Sequence, residues 1–213
     1  MRYVFEREIE ALNKELIKMG SLVEERIKQA IEALINRDVD LATSVVEGDE
    51  DVDNMEKDIE SKCLKLILQQ HPVAGDFRLI SSILKMITDL ERIGDHAQDI
   101  SEISLLFSKE KYIKELTHIP QMADATMKMV KKSIDAFVKR NETLAYEVIN
   151  DDDKVDDLFD TIKKELIYLI REDAANGEQA LNLLMISKYF ERIGDHAVNL
   201  AKWVLYSITG NHI

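Results

Sequence analysis

The heptapeptide ERIGDHA occupies residues 91–97 and returns unchanged at residues 191–197. It is the strongest part of a longer internal match. IEALINR at 31–37 aligns with IDAFVKR at 134–140, an offset of 103. The same offset pairs Leu41 and Ala42 with Leu144 and Ala145, and Asp49, Val52 and Asp53 with Asp152, Val155 and Asp156. From residue 31 to 67, 12 of 37 aligned positions are identical. The offset then falls to 100, where HPVAGD in the first half gives way to DAANG in the second. Turns tolerate such length changes. A repeat of this length implies two copies of one structural unit.

Each unit reads as three helices. In the first, Ile9, Leu12, Leu16, Met19, Val23, Ile27, Ala30 and Leu34 follow one another at steps of three and four, an unbroken helical stripe. It predicts a helix over about 2–36. NRDVD marks a turn with Asp38 as N-cap. A second helix runs to Gln70, with Gly48 loosening its middle. Pro72 and Gly75 end it, and a third helix covers about 76–107. A polar connection, SKEKYIKELTHIP, leads to the second copy, with Pro120 near a helix start. The expected fold is all-α: two tandem three-helix bundles, six long antiparallel helices, divided into residues 1–109 and 110–213.

Composition agrees. The 213 residues include only 7 Gly and 2 Pro, too few for the turns of an all-β chain. Hydrophobic residues are 46% and charged residues 32%, a globular mix. The net charge of −13 disfavours nucleic acid and anionic membrane surfaces as partners. No apolar run is long enough to span a bilayer, and the acidic, amphipathic start does not resemble a signal peptide. The single cysteine, Cys63 in CLKLIL, reads as an inert core residue. These features predict a cytoplasmic protein.

The repeated segments carry paired acids. Glu91 and Asp95 stand four apart and share a helix face, as do Glu191 and Asp195. Asp99 continues the first row; Asn199 continues the second. The preceding helix of each unit carries Asp49 and Asp53, or Asp152 and Asp156. In an antiparallel hairpin, facing residues have a constant sum of numbers. The midpoint between the two first-copy pairs falls at Pro72, and that between the second-copy pairs at Asp173–Ala174, both in the turns. Four carboxylates are therefore expected to meet in each bundle.

Carboxylates so gathered repel each other. Protonation, Arg92 and Arg192, or a bound multivalent cation would each relieve this. All-oxygen ligation suits hard ions such as Mg²⁺, Ca²⁺, Mn²⁺ or ferric iron. His96 lies roughly 140° around the helix from Glu91 and cannot share its face. It and His196 are expected beside the acids or at the surface. Neither Glu-x-x-His nor HExxH occurs at these acids, and no Cys/His zinc set is present. Gly94 and Gly194 weaken a helix by about 1 kcal/mol each, which points to close packing there. Trp203 and Tyr206 extend the apolar stripe of the last helix and read as core.

Together, VVEGDEDVDNME, DLERIGDHAQDI and YFERIGDHAVNLAK resemble the PhoU family over nearly the whole chain. The resemblance implies a cytoplasmic, homodimeric, non-enzymatic regulator of phosphate uptake and of the phosphate-starvation response. Its implied partners are the ATPase subunit of a phosphate ABC transporter and a sensor histidine kinase. It also implies metal ions, including iron clusters, held by Asp49, Asp53, Glu91 and Asp95, and by Asp152, Asp156, Glu191 and Asp195. Zn²⁺, Mg²⁺, Ca²⁺ and Mn²⁺ stay open beside iron. Asn199, in place of the acid at Asp99, puts equal loading of the two sites in doubt.

The residues alone leave two rival readings. One is a carboxylate-bridged metalloenzyme, which the missing Glu-x-x-His pairs disfavour. The other is a purely structural helical scaffold. Against an enzyme stand the absence of an evident nucleophile, a phosphate-cradling glycine loop or a cofactor motif.

Overall fold

The computed structural model describes residues 2–70, 72–107 and 111–212. Among these, α1 spans Arg2–Asn36, α2 Val39–Glu47, α3 Glu50–Gln70, α4 Ala74–Ser104, α5 His118–Lys139, α6 Glu142–Glu172 and α7 Gly177–Thr209. Single 3₁₀ turns follow α4 and precede α7. The fold is two tandem three-helix bundles. In the first, the expected second helix is broken at Gly48–Asp49 into α2 and α3; in the second, α6 is unbroken. The expected division between residues 109 and 110 lies outside the described residues, as does His71 in the first hairpin turn.

The sequence repeat is visible in the turns. Arg37 and Arg140, aligned by the repeat, both adopt left-handed backbone, at φ 54° and 49°. The residue after each caps the next helix. Asp38 accepts from the Leu41 N–H at 3.0 Å, and Asn141 from the Leu144 N–H at 3.2 Å. Such a bond satisfies one of the orphan donors at a helix start.

The stripe of α1 is buried from Leu12 on, with Ile9 partly covered: Leu16, Met19, Val23, Ile27 and Leu34 are inaccessible to solvent. Burying a side chain of that size contributes about 1.5–3 kcal/mol. The bundles share one apolar core, because α1 packs on α5 and α4 packs along α7. Cys63 belongs to that core, and burial pushes its thiol up to about 12, so it is inert at neutral pH. The inter-repeat connection is pinned by side chains. Tyr112 donates to the Leu34 carbonyl, and Gln179 accepts from the Ile113 N–H at 2.5 Å while donating to the Lys111 carbonyl at 3.1 Å.

Candidate metal centre

The break between α2 and α3 positions the first acid. Gly48 ends α2, and its carbonyl accepts from Arg26 of α1 at 3.0 Å. The same guanidinium nitrogen lies 3.0 Å from the Asp51 carboxylate. A Cβ at position 48 would stand 2.3 Å from that nitrogen, so glycine is what lets Arg26 approach. Asp49 sits in the break, and its carbonyl accepts the N–H groups of Val52 and Asp53, starting α3.

From there three of the four acids expected in the first copy converge, and among the described residues no three of the second copy's acids gather as tightly. Carboxylate oxygens of Asp49, Asp53 and Asp95 lie within 4.8 Å of one another. Glu91 stands beside them on α4. Burial, then Asp95, raises its carboxyl to about 7, against the opposing pull of Arg92. Asp49 is raised as well, by burial first and then by Asp95 and Asp53. Arg92 pairs with Asp95 at 3.0 Å and Glu91 at 3.5 Å, as expected of a compensating cation.

In the second copy, Asp152, Asp156, Glu191 and Asp195 act on one another in the same way. Burial, then Asp156 and Asp195, raises Asp152 to about 6. Asp156 and Asp195 are raised too, each by burial first and Glu191 next. One difference is decisive. Lys188, aligned with Thr88 of the first copy, pairs with Glu191 inside the cluster. Its ammonium also lies 5.5 Å from the Phe159 ring centre. Arg192, by contrast with Arg92 and with expectation, makes no ion pair among the described residues.

The heptapeptide glycines leave no room for a side chain without a shift of their neighbours. A Cβ on Gly94 would meet Val52 at 3.2 Å, and one on Gly194 would meet the Asp152 carboxylate at 3.1 Å. The donor atoms are all oxygen, the kind that suits a hard multivalent cation, and in the first set three of them are gathered within 4.8 Å. The first set offers three convergent carboxylates with Glu91 alongside. The second offers the same residue types with a lysine among them.

The histidines of the heptapeptide do something that their helix position did not reveal. They meet across the packing of α4 on α7, with ring centres 5.6 Å apart. His96 Nδ1 lies 3.2 Å from Asp99 on its own helix, and its ring contacts Tyr189 at 5.4 Å. His196 Nδ1 lies 2.9 Å from Asp89 of the other repeat. Asp89 also accepts from the Trp203 indole at 3.2 Å and from Asn199 at 3.4 Å. Trp203 is thus partly buried but bonded, not simply core. Asn199, the departure from the acidic row, serves this inter-repeat bond. The signal was present in the sequence: positions 88–89 and 188–189, just before the identical heptapeptides, read TD in one copy and KY in the other.

Known proteins share the fold and much of the sequence. A family model described as the PhoU domain matches residues 16–104 and again 119–204. A phosphate-specific transport system accessory protein PhoU homolog from Clostridium acetobutylicum is 40% identical, covering 100% of this chain and 97% of the relative. The phosphate-specific transport system accessory protein PhoU of Escherichia coli is 32% identical over 97% of this chain and 86% of its own length. The crystal structure of PhoU from Pseudomonas aeruginosa superposes with a TM-score of 0.92 at 34% identity, covering 97% of this chain and 100% of that one. The phosphate transport system regulatory protein PhoU from Streptococcus pneumoniae gives 0.91 at 26% identity, over 98% and 99%. With its duplicated bundle, its paired acids and these full-length matches, the chain belongs to the PhoU family.

Proposed function

We propose that this protein regulates phosphate uptake as a non-enzymatic, cytoplasmic, homodimeric adaptor. It contacts the ATPase subunit of a phosphate ABC transporter and a sensor histidine kinase, and restrains the phosphate-starvation response when phosphate is plentiful. The observation that carries the reading is the full-length likeness to proteins named as accessory to phosphate-specific transport. Among the described residues no helix is long and apolar enough to cross a membrane, so contact with a transporter would be made from its surface.

In this reading the carboxylate clusters hold metal ions. Asp49, Asp53, Glu91 and Asp95 form one site, and Asp152, Asp156, Glu191 and Asp195 the other. A bound cation would supply charge neutralisation and fix the spacing of the helices of each hairpin. The metal set spans iron and the hard divalent ions, with Zn²⁺ less suited to all-oxygen donors.

The test is affinity capture. Immobilised protein is exposed to detergent-solubilised membranes and cytosol from phosphate-replete cells, and retained proteins are identified by mass spectrometry. The transporter ATPase and the kinase are expected. Retention of neither, with the bait folded and metal-loaded, would overturn the adaptor reading.

A further inference from the structure

A groove of about 740 Å³ opens over the line where α4 packs on α7, between the two carboxylate clusters. Both copies of ERIGDHA contribute to it. Arg92 and His96 come from one side, Arg192 and His196 from the other, and Lys202 completes the basic set. Asp152 and Asp195, acids of the second cluster, line it as well. The equivalent arginines and histidines of the two copies thus line one hollow.

The charge here runs against the rest of the molecule. The chain has 41 acidic and 28 basic residues, so most cations have an acid at hand. Arg192 and Lys202 nevertheless make no ion pair among the described residues, although Asp195 and Asp152 line the same groove. Arg92 is drawn to the first cluster by Asp95 and Glu91, yet more than half of its side chain stays exposed. The two histidines have their Nδ1 atoms engaged by Asp99 and Asp89, and neither Nε2 has a hydrogen-bond partner among the described residues. Arg192 and Lys202, close together without an ion pair of their own among the described residues, would be favoured by an anion that shares the space.

We propose that this groove binds a phosphoryl-class tetrahedral oxyanion, free or carried on a nucleotide. The donor set selects the chemistry. Each pair of oxygens of a tetrahedral oxyanion presents an edge that matches a guanidinium fork. Arg192, without an ion pair among the described residues, offers such a fork, Lys202 a point charge, and the half-exposed Arg92 a second guanidinium in the same groove. Past Lys202 the groove continues into a hollow of about 360 Å³ lined by Lys85, Thr88 and Trp203. A nucleoside attached to the oxyanion has room there. The site stands on this geometry alone and depends neither on the adaptor reading nor on metal loading.

Equilibrium dialysis of the purified full chain with radiolabelled inorganic phosphate tests it, with sulfate and ATP as competitors at matched ionic strength. Wild type is compared with Arg192→Gln and Lys202→Gln, and each is measured both metal-loaded and after chelation. The expected result is one phosphate per chain, weakened about tenfold or more in either variant while the unfolding midpoint stays unchanged. Competition by ATP at concentrations well below those needed with phosphate would assign the same site to a nucleotide. No saturable binding by wild type would overturn the proposal. So would binding that disappears on chelation but is unchanged in both variants, because the anion would then sit on the metals.

Discussion

Lys188 pairs with Glu191 within the second carboxylate cluster, at the place where Thr88 stands in the first. A fixed ammonium among four acids does part of what a metal ion would do. It also repels any cation that arrives. The first cluster has a cation too, Arg92 on Asp95 and Glu91, but that side chain is 57% exposed against 38% for Lys188, which also leans on Phe159. Lys188 is the harder of the two to displace, and the sites are electrostatically unequal.

Metal content reads this directly. Protein purified without chelator is expected to lose most of its metal on Asp95→Ala and less on Asp195→Ala. Lys188→Thr is expected to strengthen the second site on the order of tenfold, the scale of one removed like charge nearby. Plasma mass spectrometry gives the stoichiometry, and titration calorimetry the affinities. Equal loading of both sites in wild type would contradict the assignment.

The raised carboxyls predict how the metal-free protein responds to pH. Glu91 is held at about 7 and Asp152 at about 6, both above the usual carboxylate range. Well below that range these acids are neutral in folded and unfolded chain alike and cost nothing. As pH rises, the unfolded chain ionises first, and the folded chain must then ionise groups that burial and their neighbours oppose. Stability is therefore lost between about pH 4 and 7. Chelated protein should melt at a higher temperature at pH 5.5 than at pH 8, and Glu91→Gln should flatten that difference. Metal added at pH 8 should restore the melting temperature by mass action.

The break before Asp49 depends on Arg26 reaching the Gly48 carbonyl. Gly48→Ala puts a methyl where the guanidinium lies, 2.3 Å from its nitrogen. Arg26 must withdraw and give up its bonds to Gly48 and Asp51. The expected outcome is a first site weakened about tenfold, as when groups supporting metal ligands are removed. The second site, on the unbroken α6, should be unaffected. A calorimetric titration of the Asp195→Ala background isolates the first site for this comparison.

Arg140 carries a left-handed backbone at φ 49° with its side chain exposed. A residue with a Cβ pays about 1–2 kcal/mol for that conformation, and glycine does not. Glycine's larger entropy loss on folding offsets part of the gain. Arg140→Gly is therefore expected to stabilise by about 1 kcal/mol, raising the melting temperature by roughly 2–4 °C for a chain of this size.

Much of this was legible before any coordinates. The bounds of α1, the cap at Asp38 and the equivalence of Arg37 with Arg140 followed from periodicity and from aligning the two halves. The register of the acids followed from the turn positions alone, because an antiparallel hairpin leaves no other freedom. What stayed hidden was contact between elements far apart in sequence. Arg26 lies 22 residues before the carbonyl it holds. His196 lies 107 residues from Asp89. An apolar stripe tells a helix that it must be covered, but not by which helix. The packing of α4 on α7 therefore could not be read, nor the meeting of the two histidines.

That packing also puts two copies of one unit side by side in a single chain. In a homodimer a substitution in one subunit appears in the other, and both must tolerate it. Here the two copies lie within one polypeptide, so the constraint is lifted. Asp89 can face His196 while Tyr189 faces His96, and Thr88 can differ from Lys188, without either choice being imposed twice. Fusion of the two halves gives this fold two neighbouring centres that can be tuned separately on one shared core.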